Sequence, residues 1–461
     1  MDDRWGAGWQ FSGSSVVYAA GAGLGVLSAA GLIWRAYARQ NSKSIEEWSR
    51  GKDTVAVPLL PLESTALLGQ EQPITTVTFF SGDVQEAVEQ VRSRLKLITV
   101  ANPWLAGRIV RRPDHPNLQL LHPTAADIDG QLVDELLSIQ PTGLHISPSL
   151  PYEQLLKACA PTQVPVGLRL VNRKYRIAKV TVVSCSGDPE KFGVLLSLSH
   201  IVADGFTYYR ILNMLGGAPV ESLIAERLMD FHPRMEAAVG KADWAYTFSP
   251  QMVLNCIAGV FLGRRARVYA HYVDPVKVGA AKAAAKSDAG VPFVSTNDIV
   301  TSAWSNVCGL RLAMMAINLR DRITGVTDRH AGNYESLLWM DEGVYGSPVS
   351  MREVLLAGPP YTAHTRPLPG FWEGLTRSQG QITNWASFSE PLALDNSTEL
   401  FHLPVNLPPL SAVPFECCLI WRPCGEKLGV MVISKNYTRR DFLDAMPLLE
   451  DEIAPAVFDT T

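Results

Sequence analysis

A chain of 461 residues with 47% hydrophobic content has material for large cores, and a prior of about 150 residues per domain points to two or three units. Its 41 Lys and Arg against 45 Asp and Glu leave a net charge of -4, which argues against a general nucleic-acid binder because phosphate neutralisation needs a basic surplus. Seven scattered cysteines with no pair of C-x-x-C units argue against a zinc site and read as reduced thiols, so no metal is expected.

The first element is an uncharged stretch from Trp5 to Trp34. Within it, residues 15–34 match the length of a membrane-crossing helix. Asp2, Asp3 and Arg4 precede it, and Arg35, Arg39 and Lys43 follow, so the positive-inside rule puts the rest of the chain on the cytosolic side. The expected location is a single-pass membrane protein, of the endoplasmic reticulum first and a plastid second. Gly21, Gly25 and Ala29 repeat as small residues on one face, a pattern that permits close helix packing.

Residues 35–68 read as a linker, polar at first and then bearing Pro58 and Pro61. A strand is expected over 75–80 and a helix over 83–98, with Val84, Ala87, Val88, Val91 and Leu95 on one face. Short strands follow at 118–121, 168–170 and 177–184, with helices at 131–138 and 152–158. The organisation is a tail over 1–14, an anchor over 15–34, a linker over 35–68, a first lobe over 69–240 and a second lobe over 241–461. In the second lobe strands are expected at 268–273, 312–319, 382–388, 415–422 and 428–434. A helix is expected at 275–286 and a closing one at 439–453. Ser295 or Thr296 caps a further helix, with Asp298 near its positive end. Mixed strands and helices of this kind indicate an α/β fold.

The most informative stretch lies between these lobes' first elements. Val194, Leu195, Leu196 and Leu198 form an apolar run that reads as a buried strand with His200 just beyond its end. Asp204 and Gly205 supply turn chemistry, and a glycine suits a tight turn before a helix. Tyr208, Ile211, Leu212 and Leu215 then recur at helical spacing.

His200-Ile201-Val202-Ala203-Asp204-Gly205 is an H-x-x-x-D-G pattern, and with it the chain resembles the acyltransferase superfamily of the chloramphenicol-acetyltransferase fold. That superfamily includes BAHD acyltransferases, fungal-type O-acyltransferases and peptide-synthetase condensation domains. Asn102 to Arg108, Ser295 to Asp298, Asn318-Leu319-Arg320 and Gly332-Asn333-Tyr334 resemble further landmarks in the same order, and the likeness covers about residues 55 to 461. It implies two back-to-back lobes, with a segment of the second pairing with the first. It also implies acyl-CoA as co-substrate.

Acyl transfer to an alcohol or amine requires removal of a proton from a poor nucleophile, which an imidazole does near neutrality. His200 is the expected base. The resemblance implies that Asp204, although beside it, turns away to pair with a distant arginine, for which Arg320 is the choice. No G-x-S-x-G elbow is present, so direct attack is preferred to an acyl-serine route. The D-F-G-W-G motif of plant members is absent, and Asn384 and Trp385 lie roughly in its place as candidates for the oxyanion or acceptor side. Ser295, Thr296, Arg264 and Lys282 are candidates for coenzyme A, whose phosphates need donors and positive charge. The anchor points to a lipophilic hydroxylated acceptor such as a terpenoid, sterol or pigment. The alternatives are an amide-forming N-acyltransferase or condensation-type enzyme, and an inactive scaffold of a membrane complex.

Overall fold

The computed structural model describes residues 53–287, 290–376 and 378–458. The expected anchor over 15–34 lies outside the described residues. The strands of the first half are β1 (Thr54–Pro58), β2 (Ile74–Gly82), β3 (Arg108–Val110), β4 (Gln119–Pro123), β5 (Leu137–Ile139), β6 (Ala178–Cys185) and β7 (Asp188–Leu198). Those of the second half are β8 (Arg267–Val273), β9 (Leu312–Asn318), β10 (Glu335–Met340), β11 (Gln379–Asn384), β12 (Ser397–Pro404), β13 (Glu416–Cys424), β14 (Lys427–Ser434) and β15 (Leu449–Glu452). The helices that bear on the site are α1 (Val84–Ala101), α2 (Gly205–Leu215), α3 (Pro250–Leu262), α4 (Pro275–Ser287) and α5 (Thr296–Val307).

Two large sheets organise the chain. The first has the order β12-β2-β7-β6-β5 and the second β10-β9-β11-β13-β14-β8-β15, while β1-β4-β3 form a small third sheet. A strand buried on both faces needs apolar or β-branched residues throughout, and β2, with Thr75, Thr76, Val77, Thr78, Phe79 and Phe80 all buried, meets that condition. Alternation assigns its faces: Phe80 joins the core under α1 and α2, whereas Val77 and Phe79 join the core between the two large sheets. Cys417 and Cys418 do the same on β13, one facing the inter-sheet core and the other the second lobe's helices. All seven cysteines are unpaired.

β12 belongs by sequence to the second half, yet it pairs antiparallel with β2 in the first sheet, from Ser397 opposite Gly82 to Pro404 opposite Thr76. This is the crossing segment that the resemblance implies. The α/β two-lobed architecture is therefore as expected. Both α1 and α2 begin on aspartate caps: Asp83 accepts from the amides of Gln85 and Glu86, and Asp204 from that of Thr207.

Several boundaries differ from the expectations. Residues 54–68, read as linker, are part of the folded body: β1 pairs with β4, and Leu59, Leu60 and Leu62 are buried. Pro58 is tolerated because β1 is an edge strand and Pro58 its last residue. Residues 168–170 are helical, in the short helix Gly167–Leu170, because three residues carry no usable period. The closing helix over 439–453 stops at Ala445, since Met446 precedes Pro447 and is pushed out of helical geometry, and β15 follows it. The strand over 382–388 ends at Asn384, and Trp385 to Phe388 turn instead, with the Phe388 amide donating to the Trp385 carbonyl.

Among the described residues, one stretch, Lys241–Leu262, is long and apolar enough by length and composition to cross a membrane. It folds as two helices, Lys241–Thr247 and α3, and buries Trp244, Tyr246, Met252 and Cys256 in the body of the protein.

Candidate active site

β7 delivers the chain to His200, and the turn after it is covered from the second lobe by the segment between β9 and β10. Three interlocked contacts define the result. His200 Nδ1 lies 3.1 Å from Asn333 Oδ1. The amide nitrogen of Asn333 donates to the His200 carbonyl at 2.9 Å and to Glu63 Oε1 at 3.1 Å. Both partners of that nitrogen are acceptors, so Oδ1 is the acceptor toward the ring and the proton sits on Nδ1. Nε2 is left with its lone pair.

Glu63 is fully buried and held in turn. Its Oε1 also accepts from the Asn333 amide at 3.0 Å, and its Oε2 from Arg227 Nε at 2.9 Å and the Leu60 amide at 3.0 Å. Arg227 also donates to the carbonyls of Ala225, Ala331 and Val202. A buried carboxylate without such partners would carry a large desolvation cost. Here the network fixes the carboxamide that fixes the imidazole.

Asp204 points the other way. It accepts from Arg320 at 2.6 and 3.2 Å, from the Thr207 amide at 2.9 Å and from the Tyr334 amide at 3.1 Å. Arg320 completes its fork on the His330 and Gly332 carbonyls, Asn318 Oδ1 and Thr207 Oγ1, and lies over the Phe206 ring. Both side chains are 1% exposed. The structure thus brings Asp204 and Arg320 together as a bidentate pair that ties the two lobes at the start of α2.

Gly205 is the first residue of α2, and its backbone conformation is open to any residue. The turn makes no demand for glycine. A Cβ at this position would instead stand 3.4 Å from Trp385 Nε1.

His200 borders a small cavity of about 60 Å³, shared with Trp385, Gly205, Glu71, Gln72 and Ala316 among others. Ala316 also lines a second, larger cleft of about 710 Å³ on the second lobe. Lys282 on α4 and Ser295 and Thr296 at the start of α5 line that cleft, together with Arg320, Arg322, Arg352 and Arg422. Ser295 caps α5 in a reciprocal box with Asp298, and Arg352 pairs with the same aspartate. Lys282 makes no ion pair among the described residues. Arg264 does not join this group: it is exposed beyond the end of α3, where its neighbour Arg265 pairs with Glu153 of the first lobe. The chain leaves α3 into solvent there, which separates Arg264 from α4 and α5.

Asn384 and Trp385, adjacent in sequence, are split between the two spaces. Asn384 lines the large cleft and donates to Asn297 Oδ1 at 3.1 Å. Trp385 lines the His200 cavity, and its indole N–H makes no hydrogen bond among the described residues. Burial pushes the His200 imidazole below its ordinary value; its own backbone carbonyl, Asp204, Asn333 and Glu63 oppose this less strongly. The ring is neutral at neutral pH. No group of three or more His, Cys, Asp or Glu among the described residues could hold a metal ion.

Sequence reasoning assigned no role to Asn333, Glu63, Arg227 or Glu71. Glu63 did carry a signal: a lone carboxylate directly after Leu59-Leu60-Pro61-Leu62 is polar chemistry against an apolar run, which asks for a buried partner.

No protein-family model and no curated protein sequence matches the chain. Solved structures do match in fold. TRI101 of Fusarium sporotrichioides, crystallised with coenzyme A and T-2, superposes with a TM-score of 0.54 at 11% identity, over 86% of this chain and 99% of that one. The first condensation domain of the calcium-dependent antibiotic synthetase, bound to a substrate analogue, gives 0.53 at 13% identity over 85% and 94%. The trichothecene 15-O-acetyltransferase TRI3 of Fusarium sporotrichioides gives 0.52 at 10% identity over 85% and 94%. The chain has the fold that these three structures share.

Proposed function

We propose that the protein is an acyltransferase that moves an acyl group from acyl-CoA to a hydroxyl by direct attack, with His200 as general base. The observation that carries this reading is the neutral imidazole whose proton is held on Nδ1 by Asn333, leaving Nε2 as the lone pair on the cavity side. In the reaction Nε2 takes the hydroxyl proton as the oxygen attacks the thioester carbonyl. The tetrahedral oxyanion accepts from Trp385 Nε1–H. Collapse breaks the carbon–sulfur bond, and the imidazolium returns the proton to the departing thiolate. Lys282 and the start of α5 at Ser295 and Thr296 receive the phosphates of coenzyme A. Asp204, Gly205 and Arg320 act by holding the turn and α2 in place.

The fold neighbours support acyl transfer: TRI101 is crystallised with coenzyme A and T-2, and TRI3 is a trichothecene 15-O-acetyltransferase. The condensation domain keeps an amide-forming reading as the second one. Residues 15–34, as a membrane anchor, would hold the lobes at a membrane surface on its cytosolic side. An assay of thiol release from purified protein with a panel of acyl-CoAs and acceptors tests the reading. It requires acceptor-dependent release that His200→Ala removes, and an intact protein that releases no thiol with any pair would refute it.

A further inference from the structure

Two spaces meet along α4, and the charges on their walls are sorted. Beside the cleft of about 710 Å³ lies a second cavity of about 590 Å³, and Lys282, Thr296 and Leu428 line both. Ala316 joins the first cleft to the His200 cavity, so three spaces stand in series with His200 at one end. Five cationic side chains line the first cleft and no carboxylate does. Arg320, Arg352 and Arg422 pair with acids, but Lys282 and Arg322 make no ion pair among the described residues. The second cavity has the opposite bias, with Glu426, Glu450 and Asp451 against Lys282 and Lys427.

One face of α4 forms a wall of this second cavity, because Pro275, Val278, Gly279 and Lys282 recur at helical spacing. A glycine inside a helix is less stable than an alanine there, and the rest of α4 is rich in alanine. Packing does not call for the exception: a Cβ at Gly279 would meet no atom within 4 Å. Glycine on this line of the helix instead leaves the wall open to a group that approaches closely. Val278 and Leu428 add apolar surface and Tyr272 an aromatic ring. Glu450 and Asp451, both exposed, bring carboxylates that accept hydrogen bonds and donate none.

This sorting divides a long ligand between the two spaces. Phosphates belong with the cations of the first cleft and at Lys282, and the carboxylates of the second cavity repel them. A flat, uncharged group that carries N–H and O–H donors matches the second cavity. We propose, on the basis of the acyl-CoA reading, that the second cavity receives the nucleoside of the coenzyme, with the base on its apolar walls and with Glu450 and Asp451 accepting from the base's amino group and the sugar hydroxyl. The cavity then selects the form of the thioester. A phosphopantetheine arm on a carrier domain continues into protein and has no nucleoside to place there, so the free coenzyme thioester is preferred to a carrier-bound one.

The test is calorimetric binding of three probes to the full chain: coenzyme A, an analogue with the same phosphates, sugar and arm but no base, and phosphopantetheine. Coenzyme A should bind about 10-fold to 100-fold more tightly than the base-free analogue, the order expected for hydrogen bonds to a charged acceptor, and phosphopantetheine more weakly than either. Gly279→Leu fills the cavity while favouring the helix, and should bring the first two probes within about 3-fold of each other without lowering the melting midpoint. Equal affinities for those two in the wild type, or a preference that survives Gly279→Leu, overturn the proposal. Should Gly279→Leu fail to fold, a Glu450→Ala, Asp451→Ala double variant must reduce the same preference. Thiol release separates the proposal from the reading beneath it. The expected affinities without thiol release for any acceptor would keep the cavity's assignment and discard acyl transfer, whereas acceptor-dependent release with equal affinities would discard the assignment and keep acyl transfer.

Discussion

Asn333 Oδ1 lies 3.1 Å from His200 Nδ1 and holds the ring's proton there from the other lobe, so this tautomer is fixed only when the two lobes are assembled. His200→Ala should lower the rate by about 100-fold to 10,000-fold without changing the unfolding midpoint by much. The pH profile gives a finer reading. Burial lowers the imidazole's affinity for protons, and the active form is neutral, so the acid limb of kcat/KM should lie below the ordinary histidine value of about 6.5. Asn333→Asp places a carboxylate against the ring, favours the imidazolium, and should move that limb to higher pH. An unmoved limb would mean that Asn333 does not touch the reacting base.

Asp204 and Arg320 form a pair whose loss is a matter of stability. Asp204→Asn or Arg320→Met leaves one buried charge without its partner, an expected loss of about 3–5 kcal/mol by urea unfolding. A charge swap commonly restores such a pair. Here it should not, because Asp204 also accepts from the Thr207 and Tyr334 amides, and a guanidinium at that position accepts nothing. A swapped protein as stable as the wild type would show that the pairing alone matters.

Gly205 separates stability from activity. Gly205→Ala adds a methyl group at ordinary contact distance from Trp385 and should change stability by less than about 1 kcal/mol. Gly205→Val reaches further and should displace the indole. Its expected result is a folded protein with a lowered kcat and a nearly unchanged KM for acyl-CoA. Full kcat in that variant would remove Trp385 from the reaction.

For the donor side, Lys282→Ala should raise the KM for acyl-CoA by about 10-fold, the order expected for a lost charge-assisted contact to phosphate. Arg264→Ala should leave it unchanged, because that side chain lies outside the cleft. The reverse result would relocate the coenzyme site to the end of α3.

The anchor expectation has its own measurement. The full chain should sediment with membranes and resist carbonate extraction, whereas a chain starting at residue 53 should not, if residues 15–34 cross a bilayer. A full chain recovered wholly in the supernatant would exclude it.

Local chemistry makes part of this legible in the sequence. The strand to His200 and the helix from Gly205 follow from an apolar run, a turn and a helical period within 24 residues, Phe192 to Leu215. Asp204 and Arg320 could be paired only through the family resemblance, since 116 residues separate them. Glu63 and Asn333 meet across 270 residues, and nothing periodic reports such a contact. Prolines hid β1 because they signal a linker in a sequence and an edge strand in a fold equally well. Arg264 stands apart from the cleft that Lys282, Ser295 and Thr296 line, because a basic cluster reveals charge but not which wall it faces.

The position of β12 bears on how the protein moves and unfolds. Because a strand of the second half completes the first half's sheet along the ladder from Ser397–Gly82 to Pro404–Thr76, the first lobe has no finished sheet alone, whereas the seven-stranded sheet is built from second-half strands throughout. A hinge that swung the lobes apart must either strip that ladder or bend in the segments that flank β12, residues 385–396 and 405–415. The same interlock couples melting of one half to melting of the other. A single cooperative transition, and failure of the first half to fold when produced without β12, are what this topology entails.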